Sequence, residues 1–179
     1  MKNTIHSING PVVTVAATKD FAMLEMVYVG YKRLVGEVIA VNDKYTTIQV
    51  YEVTTGLKPG EPVEPTGAPM CATLGPGILS NIFDGIERPL KMLERQTGAF
   101  ISEGCNIPPL DENRKWQVAL KVKSGEAVKG GQIYATTQET QLIEHRCLVP
   151  PQLKGEVVFC AADGEYTIND VILKIKDEN

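Results

Sequence analysis

LGPGILSNIFDGIERPL, Leu74–Leu90, is the one stretch whose apolar spacing reads as helix in a chain that otherwise reads as strands and turns. Ile78, Leu79, Ile82, Phe83 and Ile86 fall at i, i+1, i+4, i+5 and i+8, which gathers them on one helix face. Gly75-Pro76-Gly77 blocks helix before this run, and Gly85 offers a stop behind it. Pro89 then suits the first position of a second short helix carrying Leu90 and Leu93. Short, apolar and bracketed by breakers, the stretch reads as a joint between two bodies.

On its N-terminal side the chain is strand-like. Thr4–Ile8, Pro11–Ala16, Leu24–Val29, Leu34–Val41 and Thr46–Tyr51 are rich in Val, Ile, Thr and Tyr, and turn residues such as Asn9-Gly10, Gly30 and Asn42-Asp43 separate them. Strands of this length and spacing predict a small closed β-barrel, since closure removes edges that would pair with other chains. Gly56–Pro69 is turn-rich, and Pro62, Pro65 and Pro69 are barred from a central ladder because they lack the N–H.

Beyond Asn106–Asn113 strands resume at Trp116–Val122, Ile133–Thr137, Leu142–Leu148, Glu156–Cys160 and Val171–Ile175. Their glycine turns, as in KVKSGEAVKGGQIYA, resemble those of lipoyl and biotinyl carrier domains, which are flattened β-sandwiches. The fold class expected is therefore mainly β: an N-terminal small β-barrel (1–73), a short helical linker (74–113), and a second, barrel-sandwich-like β domain (114–179).

Composition narrows the function classes. Hydrophobic content of 43% and charged content of 22% are those of a soluble globular protein, and a net charge of −4 supplies no basic footprint for nucleic acid. Tyr28, Tyr31, Lys32 and Arg33 form the one local basic-aromatic cluster. No apolar run reaches the ~18–20 residues of a membrane span, and MKNTIHSINGPVV lacks the core of a signal peptide, so a cytoplasmic location is expected. Cys71, Cys105, Cys147 and Cys160 share no short pairing, and His6 and His145 complete no zinc set. Cys71, Cys147 and Cys160, among apolar residues, read as reduced core thiols, whereas Cys105 reads as more exposed.

The sites that chemistry would need are missing. A phosphate cradle requires GxxxxGK[ST], and the chain has none; at Gly75-Pro76-Gly77 a Ser80 stands where a third glycine would be, and Pro76 removes an N–H. Carrier domains present a lysine roughly eight residues before a proline, and counting back from Pro150 or Pro151 reaches Leu142 or Ile143, which cannot be acylated. Glu144, His145 and Arg146 alternate across a strand, so the imidazole points away from its charged neighbours. No catalytic, cofactor-binding or metal-ligating residue is therefore assigned. What remains is a docking surface made of Ile78, Leu79, Ile82, Phe83, Ile86, Arg88 and Leu90.

Leu74–Leu90 stands within an ordered series: INGPVV (Ile8–Val13), LVGEVI (Leu34–Ile39), TIQVYEVTTGLKPGEPV (Thr47–Val63), IPPLD (Ile107–Asp111), KVKSGEAVKGG (Lys121–Gly131) and IEHR to VPP (Ile143–Pro151). The series resembles the N-terminal portion of the catalytic A subunit of V-type and archaeal A-type rotary ATPases. That resemblance implies a barrel joining neighbouring A and B subunits in a hetero-hexameric ring, and a bulge insertion over residues 114–179. It implies a parent complex that couples ATP hydrolysis or synthesis to H⁺ or Na⁺ transport, peripheral to the membrane, with Mg-ATP held by a nucleotide domain beyond the matched region. The chain itself is expected to be structural and inactive alone. The alternative is a free-standing β-domain interaction protein, or a carrier-like binding module without a modified lysine.

Overall fold

The longer strands of the first unit bury small branched apolar residues at alternate positions. The computed structural model describes residues 3–79, 81–98 and 100–177, and Ser80 lies outside them. Two compact units emerge, Met1–Ala72 with Asp84–Ile107, and Thr73–Phe83 with Pro108–Asn179, so the expected linker is divided between them.

The first unit is a six-stranded antiparallel sheet in the order β1-β2-β5-β4-β3-β6. Its strands are β1 (Ile5–Asn9), β2 (Val12–Ala16), β3 (Glu25–Val29), β4 (Leu34–Val41), β5 (Tyr45–Val50) and β6 (Val63–Pro69). Period-two burial puts Val13 and Val15, Val27 and Val29, Leu34 and Val38, and Ile48 and Val50 into one core. The edges of the sheet are linked by an isolated Thr4–Pro62 bridge and by hydrogen bonds from Ile5 N–H to Glu61 O (2.8 Å) and Val63 N–H to Asn3 O (2.9 Å).

β6 is a strand that the turn-rich reading of Gly56–Pro69 did not expect. It sits at an end of the strand order, where Pro65 and Pro69 face β3 without breaking a central ladder. The buried carboxylate of Glu25 ties its far end to β3, accepting hydrogen bonds from Gly67 N–H (2.6 Å) and Ala22 N–H (2.8 Å).

The second unit has a four-stranded sheet, β10-β9-β7-β12, and a three-stranded one, β13-β11-β8. The strands are β7 (Trp116–Leu120), β8 (Ala127–Lys129), β9 (Ile133–Gln138), β10 (Glu144–Leu148), β11 (Lys154–Cys160), β12 (Gly164–Tyr166) and β13 (Leu173–Asp177). One core gathers Val122, Val128, Val149 and Val157, the other Trp116, Val118 and Ala135, and Tyr134 packs against both. The three-residue strands β8 and β12 are too short to show an alternation in sequence.

The helix expected over Ile78–Ile86 does not form. Asn81 Nδ2 donates to Gly77 O (2.7 Å), and Asp84 Oδ1 accepts from Ile86 N–H (3.1 Å) and Arg88 N–H (2.8 Å). Short polar side chains have thus taken backbone groups that a helix would pair internally. The only α-helix among the described residues is α1 (Leu90–Thr97); Pro89, expected as its first residue, is instead its extended N-cap (ψ 114°), and Gly98, whose φ is 71°, closes it. Leu93 is its fully buried residue.

Candidate functional site

The segment that leads into α1 is held to the first unit by charge rather than by an apolar face. Arg88 Nε donates to Asp84 Oδ2 (2.7 Å) and its Nη1 to Glu52 Oε2 (3.2 Å). The three side chains are 12%, 19% and 8% exposed for Arg88, Asp84 and Glu52. Glu52 also accepts from Gly104 N–H (2.9 Å) and Val35 N–H (3.3 Å), so one carboxylate gathers the end of β5, the start of β4 and the loop after α1. Burial pushes the Asp84 carboxyl up. The Arg88 N–H and guanidinium and the Ile86 N–H outweigh it and hold the group below its ordinary value.

The second unit holds its Gly-Pro-Gly turn in a comparable way. Gly77 N–H and Leu79 N–H both donate to Glu139 Oε1, each at 2.8 Å. The Glu139 side chain is 2% exposed, and its other oxygen lies 3.2 Å from His145 Nδ1. Gly77 has φ of 104° and lies so close to the indole of Trp116 that a β-carbon there would be 3.1 Å from the ring. Arg114 covers the same ring, 3.8 Å from its centroid.

Of the residues assigned to a docking surface, Leu79 and Ile82 in the second unit and Leu90 in the first are exposed. Ile78, Phe83 and Ile86 are half-buried, and Arg88 is an internal anchor. Met92, Phe100 and Ile101, which helical periodicity did not single out, are further exposed apolar residues of the first unit. The signal that could have found them is apolar residues flanking a helix whose buried face needs Leu93 alone.

Candidates for chemistry are engaged in structure. His145 faces Glu139, while Glu144 and Arg146 pair with each other at 3.9 Å. Lys32 pairs with Glu103, and Arg33 pairs with Glu64 while lying 4.3 Å over the ring of Tyr28, so the basic-aromatic cluster spends its charge within the unit. A cleft of about 680 Å³ in the second unit is lined by Trp116, Tyr134, His145, Cys147, Tyr166 and Ile172 among others. Burial pushes the Cys147 thiol up against an opposing hydrogen bond from Tyr134, which keeps it protonated and a poor nucleophile at neutral pH. Cys71, expected in the core, is exposed, because the residues around it form no strand; its thiol meets Pro69 O. Cys105 is half-buried, with Gln96 Oε1 as its partner. Among the described residues no group of His, Cys, Asp and Glu could hold a metal ion, and no helix is long and apolar enough to cross a membrane. The hairpin tip where a carrier domain would offer lysine presents Leu142, 94% exposed.

Residues 5–67 match the β-barrel domain of the ATP synthase alpha/beta family, and residues 107–179 match the ATP synthase alpha/beta subunit barrel-sandwich domain. The V-type ATP synthase alpha chain of Halothermothrix orenii is 49% identical over 99% of this chain and 30% of its own length. The A-type ATP synthase A subunit of Methanopyrus kandleri is 47% identical over 99% and 30%, and the V-type ATP synthase alpha chain 2 of Clostridium tetani 46% over 97% and 29%. Among solved structures, the assembled ATPase EscN of the enteropathogenic E. coli type III secretion system aligns over 49% of this chain and 21% of its own, with TM-score 0.45 and 22% identity. The chain thus spans about 30% of the length of the curated relatives it matches. With both β units matched in order and identity running through the stretch between them, the chain belongs to the ATP synthase alpha/beta family, corresponding to the N-terminal portion of the alpha (A) subunits of V-type and A-type enzymes.

Proposed function

We propose that this chain is the assembly portion of the catalytic A subunit of a V/A-type rotary ATPase, a complex that couples ATP hydrolysis or synthesis to the movement of H⁺ or Na⁺. In this reading residues 1–73 form the barrel that meets neighbouring A and B subunits in a hetero-hexameric ring, residues 114–179 form the bulge, and 74–113 carry the chain between them. Mg-ATP is held elsewhere in the complete protein, and the whole works in the cytoplasm, peripheral to the membrane. The exposed Leu79 and Ile82 in the second unit, and Leu90 in the first, are left to pack on the rest of that protein. Ile78, Phe83 and Ile86 contribute their uncovered edges, and Arg88 holds its segment in place.

One observation carries the reading: identity of 44–49% continues along nearly all of this chain to proteins named as V-type or A-type ATP synthase alpha (A) chains. The phosphate-cradling sequence GxxxxGK[ST] is absent from these 179 residues, which supports a non-catalytic role for them. The test has two arms. Sedimentation of the chain with a V/A-type B subunit is expected to give a complex that neither protein forms alone. Calorimetric titration with Mg-ATP is expected to give no saturable heat. Failure to associate refutes the assembly role, and a micromolar nucleotide site refutes the assignment of this chain as non-catalytic.

A further inference from the structure

The Gly-Pro-Gly turn of the second unit is a place where backbone donors converge without a secondary-structure partner. Gly77 N–H and Leu79 N–H meet on a single oxygen at 2.8 Å each, which is how backbone nests hold anions. The positive φ of Gly77, 104°, belongs to that geometry and strains any other residue there, and a β-carbon would press on Trp116 at 3.1 Å. The oxygen belongs to Glu139, about sixty residues away in sequence and almost fully withdrawn from water. Its second oxygen lies 3.2 Å from His145 Nδ1, which donates to it in the tautomer that carries the proton on that nitrogen. Burying a carboxylate is costly unless charge-assisted bonds replace its water, and here two amides and one imidazole do so.

We propose that the Gly77–Leu79 backbone is a carboxylate-binding site, filled in this protein by its own Glu139, and that this occupancy keeps the turn seated on Trp116. The site is independent of the assembly role above. Shortening Glu139 leaves the two amides and the imidazole in place without their anion, and a small free carboxylate then fits the same donors. A neutral acceptor at position 139, such as the glutamine carbonyl oxygen, can still accept from both amides but lacks the charge that makes the set strong.

The test uses the full chain as wild type, Glu139→Ala and Glu139→Gln, with sodium formate as probe and sodium chloride at equal ionic strength as control. Amide hydrogen exchange is followed at Gly77 and Leu79. In Glu139→Ala, exchange of both amides is expected to rise about tenfold or more, and formate is expected to slow it again saturably while chloride does not. Wild type, with the site filled, is expected to ignore both salts, and Glu139→Gln to fall between the two. If Glu139→Ala folds only in formate, the proposal is supported; if it folds in neither salt, Glu139→Gln decides by whether its two amides lose protection. Unchanged protection in either variant, or equal responses to formate and chloride, overturns the proposal.

Discussion

Arg88→Ala removes the cation from a pair of carboxylates that are themselves mostly covered, Glu52 at 8% and Asp84 at 19% exposure. Breaking a buried pair by deleting one partner costs ~3–5 kcal/mol, because the remaining charge is stranded. Here the stranding is partial. Glu52 keeps Gly104 N–H and Val35 N–H, and Asp84 keeps the N–H groups of Ile86 and of residue 88. That compensation places the expected loss at the lower end, about 3 kcal/mol. Urea unfolding followed by circular dichroism measures it, and hydrogen exchange is expected to show the loss centred on α1 and Gly104. The double variant Arg88→Met/Glu52→Gln removes both charges of one pair and is expected to be less destabilised than Arg88→Ala. A loss under about 1 kcal/mol, the value of an exposed pair, would refute the claim that charge holds this segment. So would a double variant no more stable than the single one.

Two other outcomes follow from the same geometry. Asp84 has a folded-state pKa below its ordinary 3.8, so its contribution is fully present above that value and is lost as pH falls through the lower folded value. The stability gap between wild type and Asp84→Asn is therefore expected to be constant near neutral pH and to narrow below about pH 4; a gap that widens in acid contradicts the assigned interactions. Ile82, 63% exposed, is expected to tolerate Ile82→Ser within about 0.5 kcal/mol in thermal melting of the chain alone, while the change weakens docking to the rest of the complete protein. A loss above about 2 kcal/mol in the isolated chain would make Ile82 core and remove it from the proposed docking surface.

The long strands were legible because their burial has period two: Val13 and Val15 or Val27 and Val29 announce one covered face with no help from context. β6 was hidden by its prolines, which mark an edge as readily as a turn. Apolar spacing misread Ile78–Ile86 because it weighs side-chain burial and is blind to who takes the backbone. Asn81, Asp84 and Glu139 took it, and Glu139 acts from far along the chain. A sequence signal existed in the glycine-proline turn itself, whose N–H groups need an acceptor once buried. The identity of that acceptor depends on how the β9–β10 hairpin is placed, which no local pattern encodes. Arg88 was read as part of an outward surface since its partner Glu52 lies 36 residues away.

The chain has a single tryptophan, and Trp116 belongs wholly to the second unit, packed under Gly77 and capped by Arg114. Its ultraviolet emission therefore reports from within the second unit and is sensitive to the seating of the Gly-Pro-Gly turn. A denaturation curve read from that light follows one unit, whereas far-ultraviolet dichroism follows both. Superimposable curves would mean that the units melt together, and separated curves that each is a cooperative body in its own right.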